Sequence, residues 1–127
     1  MKQAIKVGFI LACLAATSCT TGMVEPKGKI GMTGDATLAQ VTEAVQQAGA
    51  EAGWETKVVR PGLIEASREW SNGKHSMVVE VIYDAKSYTI KYKDSKNLQY
   101  DGGSIHRQYW LRVQRFDDAI KARTWKL

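Results

Sequence analysis

Hydrophobic and polar residues alternate without a break through Tyr88-Thr89-Ile90-Lys91-Tyr92-Lys93. That period of two predicts a strand with one buried face. Further on, Ile105, Tyr109, Val113, Phe116 and Ile120 recur at helical spacing and predict a closing helix with one apolar stripe, started by Ser104 as N-cap. Residues 94–103 between them are polar and end in two glycines, which predicts a turn.

The same periods organise the chain upstream. Leu38, Val41, Val45, Ala48 and Ala52 share one helical face. Thr37, with Gln40 three residues later, has the form of a capping box, and Gly49 and Gly53 bracket the helix end. Strands are predicted over Trp54–Arg60, Leu63–Trp70 and His75–Asp84. Pro61-Gly62 suits the centre of a type II turn, and Ser71-Asn72-Gly73-Lys74 reads as a hairpin turn. Ala85-Lys86-Ser87 is a short turn into the next strand. Tight turns between consecutive strands imply antiparallel pairing. The expectation is one α+β domain over residues 35–127, ordered α-β-β-β-β-α. A four-stranded antiparallel meander carries two helices packed on one face.

The first 34 residues show none of these periods. Met1–Lys6 is basic, Val7–Ala16 is an apolar run of about ten residues, and small residues Ala16-Thr17-Ser18 precede Cys19. This is the layout of a secretory signal over residues 1–18, and its apolar run is too short to span a bilayer. The ending resembles the lipobox of bacterial lipoproteins, in which the cysteine is lipidated and becomes the new N-terminus. Ile10-Leu11-Ala12-Cys13 is a rival lipobox that leaves a shorter apolar run, and an ordinary cleaved signal is the other alternative. Lipidation is expected at Cys19. Thr20 after it, in place of aspartate, points by the same resemblance to the outer membrane. Residues 19–34, with four glycines and a proline, read as a lipidated cysteine and flexible tether with a reach of roughly 20 Å.

Composition changes this picture little. The chain of 127 residues has an ordinary hydrophobic share of 44% and a net charge of +5. Without Lys2 and Lys6 of the leader the excess is +3, too small to argue for nucleic acid. Both cysteines, Cys13 and Cys19, lie in the first twenty residues, which excludes a disulfide framework or a cysteine-rich zinc site in the domain.

Candidate chemistry is sparse. His75 and His106 have no cysteine or histidine at metal spacing, and a capping or side-chain hydrogen bond is the expected role of each. Ser104, His106 and Asp101 are close in sequence, yet triads are defined by geometry. Turn and cap roles explain these three residues with less machinery. Asp94 and Asp101 do not fit an EF-hand loop, and Gly102-Gly103 lacks the spacing and lysine of a phosphate cradle. Tyr88 and Tyr92 alternate with Lys91 and Lys93, so the tyrosines face the core and do not form a base-stacking platform. No catalytic, cofactor-binding or metal-binding residue is expected. On the closing helix, Leu111 and Arg107 fall opposite the apolar stripe and Trp110 falls on its flank. They form a candidate partner surface. The loop at residues 94–104 is the candidate mouth of a small-ligand site.

With those residues in place, the domain resembles a group of small proteobacterial lipoproteins of uncharacterised activity. The resemblance lies in Gly53-Trp54 and Pro61-Gly62-Leu63-Ile64-Glu65-Ala66. It continues in Tyr88-Thr89-Ile90-Lys91-Tyr92 with Ser95, Asn97 and Leu98, and ends in Ile105-His106 with Tyr109. Relatives tend to carry asparagine and tryptophan where this chain has Trp110 and Arg112. The resemblance implies the envelope location; the leader, Cys19, the tether and the lack of a catalytic constellation lead to the expectation of a lipid-anchored, non-enzymatic envelope protein that binds or supports an envelope partner. The resemblance implies no substrate or catalytic residue.

Overall fold

A computed structural model describes residues 23–127. The predicted signal and both cysteines lie outside the described residues. Helix α1 is Leu38–Glu51 and helix α2 is Arg107–Thr124; the strands are β1 Lys27–Lys29, β2 Glu55–Arg60, β3 Leu63–Trp70, β4 His75–Tyr83 and β5 Ser87–Lys96. The protein is an α+β domain, in which an antiparallel sheet ordered β1-β5-β4-β3-β2 carries both helices on one face.

Each element forms for a local reason. Thr37 accepts the Gln40 N–H at 3.2 Å while the Gln40 side chain accepts the Thr37 N–H at 2.9 Å, closing the predicted capping box. Gly53, at φ +88°, lets the chain leave α1. Gly62 has φ +91°, as a type II turn requires of its third residue. The sheet's core face is built from Ile64, Ala66, Met77, Val79, Val81, Tyr88 and Ile90. Against it pack Val41, Val45 and Ala48 of α1, and Tyr109, Val113, Phe116 and Ile120 of α2. Trp54 stacks on Phe116 at 5.1 Å and seals the junction of β2 with the helices.

The face away from the helices is largely polar, with Val78 and Ile82 of β4 as apolar exceptions. Lys57, Glu65, Glu80 and Lys91 form one cross-strand row over β2, β3, β4 and β5. Glu65 and Glu80 are direct neighbours, which alone would be unfavourable. Lys93 offsets this by reaching Glu65 at 2.5 Å and holding its carboxyl below the usual range. It can do so because β5 is bulged. Val78 pairs with Asp94 and Val79 with Tyr92, so Lys93 has no cross-strand partner of its own.

The predicted boundaries change in three places. The tether, expected over residues 19–34, gives up its second half to the fold, and the sheet has five strands where four are expected. β1 pairs with β5, Ile90 N–H donates to Pro26 O at 2.9 Å, Ile30 N–H donates to Lys86 O at 2.7 Å, and Ile30 is buried. The glycines that suggest flexibility have packing causes. A Cβ on Gly28 would fall inside the outer half of the Tyr88 ring, and one on Gly31 would lie 2.9 Å from the Leu127 carbonyl carbon. Secondly, β5 runs through the predicted turn to Lys96, because the bulge shifts its alternation and brings Ser95 opposite Met77. Thirdly, His106 caps α2 in place of Ser104: its Nδ1 accepts the Gln108 N–H at 3.0 Å.

Candidate functional site

One end of the sheet collects most of the unusual side chains. Trp70 and His75 are cross-strand partners at the β3–β4 hairpin, and their rings stack at 5.6 Å. The Arg112 guanidinium of α2 lies 3.8 Å above the Trp70 ring, in cation–π geometry. Its Nη1 donates to Gln108 Oε1 and to the Gln108 carbonyl. Beside this stack runs the chain from β5 to α2. His75 Nδ1 is 3.0 Å from Asn97 O, and Asn97 Nδ2 donates to Lys74 O at 2.6 Å. A carbonyl only accepts, so the His75 proton sits on Nδ1. His106 accepts at Nδ1 and so has the opposite arrangement. Leu98 is buried, and its carbonyl accepts the His106 N–H at 2.7 Å.

This loop borders a groove of about 690 Å³ lined by Tyr92, Asp94, Ser95, Asn97, Gln99 and Tyr100 among others. Tyr100 stacks on Tyr92 at 4.1 Å, and the Tyr92 hydroxyl lies 2.9 Å from Ser95 Oγ. Asn97 and Gln99 both hold left-handed backbone, with φ of 60° and 56°. Asparagine tolerates that region through local hydrogen bonding; glutamine does so less readily. Asp101 fixes the far side of the loop. Its Oδ1 accepts the N–H groups of Gly103 at 2.9 Å and Ser104 at 2.7 Å, and its Oδ2 accepts the Ser104 hydroxyl at 3.0 Å. These bonds, the Gly103 N–H foremost, hold its carboxyl below the ordinary aspartate range.

Ser104 and Asp101 are therefore joined, while His106 spends its Nδ1 on the helix backbone. The turn role expected of Asp101 is present, and the N-cap expected of Ser104 falls on His106. Among the described residues no group of three His, Cys, Asp or Glu is placed to hold a metal ion. Of the candidate partner surface, Arg107 and Leu111 are exposed on α2, whereas Trp110 is half-buried with its ring edge against Tyr109 at 4.9 Å.

Two further clusters escape the sequence. The Tyr88 hydroxyl donates to Asp117 Oδ1 at 2.5 Å, and Lys121 Nζ donates to Asp117 Oδ2 at 2.9 Å, so a buried carboxylate is satisfied from a strand and from its own helix. Burial, then the bond to Asp117, raises the Tyr88 hydroxyl far above its ordinary value. The other cluster is cationic. Arg68 shares the core face of β3 with Trp70, two residues along, and its Nη1 donates to Ala52 O at the end of α1. Glu51, Ala52, Arg115 and Asp118 line one groove of about 310 Å³, Glu55 and Glu69 line another with Arg68, and Arg115 is one turn beyond Arg112 on α2. Burial first, then the charges of Arg68 and Arg115, push Arg112 below the usual guanidinium range.

Comparison with protein-family models gives no match, and comparison with curated proteins gives none.

Proposed function

We propose that this chain is a non-catalytic, lipid-anchored protein of the cell envelope, and that its α+β domain binds or supports an envelope partner. The anchor is Cys19, on the periplasmic side of the outer membrane. The observation that carries this reading is the short distance between that cysteine and the first strand. With β1 starting at Lys27, only Thr20–Pro26 separate them. Seven residues reach roughly 14 Å as a flexible coil and about 25 Å fully extended. A domain so tethered stays against the membrane surface and meets partners from that plane. No helix among the described residues is long and apolar enough to cross a membrane, so the proposed attachment is the lipid alone. Radiolabelled palmitate fed to cells tests the anchor: wild type and Cys13→Ala incorporate label, and Cys19→Ala does not. Equal labelling of all three, or none, refutes it. Photocrosslinking from Leu111 in the same cells tests the partner surface. A discrete adduct that depends on Leu111 supports it, and its absence removes α2 from consideration.

The groove at residues 92–100 favours a second reading, a periplasmic module for a small polar ligand. The observation behind it is the pair of left-handed residues, Asn97 and Gln99, which hold backbone strain at the groove's rim. Thermal stabilisation by soluble saccharides or amino acids, lost in Tyr100→Ala, would support this reading. A melting point unmoved by the whole panel would remove it.

A further inference from the structure

The loop from β5 to α2 is fixed at both ends. Leu98 is buried, Asn97 Nδ2 donates to Lys74 O, and Asp101 closes its own turn on Gly103 and Ser104. Between these fixed points Gln99 holds left-handed backbone at φ 56°, where glycine would be unstrained. The next side chain, Tyr100, lies with one ring face on Tyr92 at 4.1 Å. Tyr92 is itself tilted against the buried Tyr109 at 5.8 Å, so the core backs the outer ring. Tyr100 is still 44% exposed, which leaves its other face open. A surface ring held from behind and uncovered in front is a stacking platform.

The polar groups that line the same groove divide into engaged and open. Lys93 pairs with Glu65 at 2.5 Å, and the Tyr92 hydroxyl lies 2.9 Å from Ser95 Oγ. Lys93 also feels the charge of Asp94, but its ammonium is bonded to Glu65. Asp94 uses Oδ1 to accept the Ser95 N–H, and its Oδ2 has no partner among the described residues. Gln99 and Tyr100 are exposed, and neither side chain makes a hydrogen bond among the described residues. The groove therefore offers an aromatic face, a carboxylate oxygen, an amide and a hydroxyl. It offers no free cation, because Lys93 is the one lysine or arginine that lines it.

Taking the groove as the small-ligand site of the second reading, we propose that it binds a neutral saccharide. The C–H face of a sugar ring packs on the open face of Tyr100, whose π cloud attracts the slightly positive hydrogens. Hydroxyl groups at the sugar's edge donate to Asp94 Oδ2 and exchange hydrogen bonds with the Gln99 amide, which both donates and accepts. At about 690 Å³ the groove lies within the ~300–1,000 Å³ of small-ligand sites. An amino acid fits less well, since its carboxylate requires a cation that the lining does not leave free.

NMR titration of the isotope-labelled full-length chain, in a zwitterionic detergent that carries no sugar, reads binding residue by residue. The probes are glucose, galactose, N-acetylglucosamine, maltose and diacetylchitobiose, with glycine, glutamate and glucuronate as comparison ligands. At least one neutral sugar shifts the amide signals of residues 94–100 and leaves those of α1 in place. Tyr100→Ala weakens that sugar roughly tenfold or more, whereas Tyr100→Phe keeps the ring and stays within about threefold of wild type. Both variants keep the fold, because Tyr100 is exposed and Leu98 and Asp101 hold the loop. Asp94→Asn narrows the preference for the neutral sugar over glucuronate. Gln99→Gly separates binding from a structural role: it relieves the left-handed backbone and melts at or above wild type, yet it loses the amide and binds the sugar more weakly. Shifts with amino acids and none with neutral sugars overturn the saccharide assignment and leave the second reading standing. No response to any ligand overturns both. Equal sugar affinity in wild type and Tyr100→Ala overturns the assignment as well.

Discussion

Gly28 separates two descriptions of the N-terminal segment, because alanine there has opposite effects under each. In a flexible tether, Gly→Ala is neutral or slightly favourable, since it narrows the unfolded ensemble by about 0.4–1 kcal/mol where the folded backbone tolerates it. In the sheet, Gly28 lies opposite Tyr88, and the added Cβ meets Cε1, Cζ and the hydroxyl oxygen of that ring. The ring cannot retreat freely, because Tyr88 is 2% exposed and its hydroxyl is held by Asp117. Overpacking of this kind costs about 1–3 kcal/mol. After the unfolded-state gain, Gly28→Ala should lose ~1–2 kcal/mol net. For a domain of this size that is a fall of roughly 4–16 °C in melting temperature. Urea denaturation followed by tryptophan fluorescence reads it directly, with Trp54 stacked on Phe116 as a buried reporter. Gly103→Ala is the control. It has ordinary backbone and only Asp101 Oδ1, at 3.9 Å, near the new Cβ, so it should be neutral or stabilising. In a Tyr88→Leu background, which removes the outer ring, the Gly28→Ala penalty should vanish. A Gly28→Ala midpoint at or above wild type refutes the packing argument. A penalty that survives intact in Tyr88→Leu shows that the ring is not its cause.

Three further outcomes follow from the same geometry. Tyr88→Phe keeps the ring but removes the shorter of two bonds to a buried carboxylate, and should cost about 1.5–3 kcal/mol by urea denaturation. A loss below 0.5 kcal/mol would mean that Lys121 or water satisfies Asp117 unaided. Thr37→Ala removes the hydroxyl that accepts the Gln40 N–H and should cost about 0.5–2 kcal/mol, while Gln40→Ala removes the other arm of the capping box and the pair should cost less than the sum. Asp101 is depressed in the folded state, so its contribution is complete above the ordinary aspartate value, about pH 4, and fades as pH falls through the lower folded value. The stability gap between wild type and Asp101→Asn should therefore close on acidification below about pH 4. A gap constant from neutral pH to about pH 2 would contradict that assignment.

The parts of the fold legible in the sequence are those whose period survives for several residues. Val41, Val45 and Ala48, and Tyr109, Val113, Phe116 and Ile120, are all buried as their spacing requires. β1 is illegible for the opposite reason. It has three residues, and two of them are outward lysines flanking the glycine that makes room for Tyr88. Glycine is chosen there by a ring 60 residues away, and no local pattern records that. The end of β5 is hidden by its bulge. Alternation breaks at Lys93-Asp94, which resembles the start of a turn, yet pairing resumes through Asp94, Ser95 and Lys96. The α2 cap is misplaced because Ser104 has the better capping letter, while Asp101 binds its hydroxyl and leaves His106 to cap.

The placement of Arg68 is within reach of one strand's arithmetic. Ile64, Ala66, Arg68 and Trp70 share a parity in β3, and the first two are fully buried. That parity places a guanidinium on the core face, opposite Met77, where a charge requires a partner. The sequence alone shows no acid at a matching position, and the structure supplies the Ala52 carbonyl, a neutral acceptor at the negative end of α1. A helix C-terminus can hold one guanidinium in this way. Its partial charge is roughly half an elementary charge. Arg112 arrives from a helix more than 40 residues later, so only the tertiary fold shows that a second guanidinium lies over Trp70 of the same strand face.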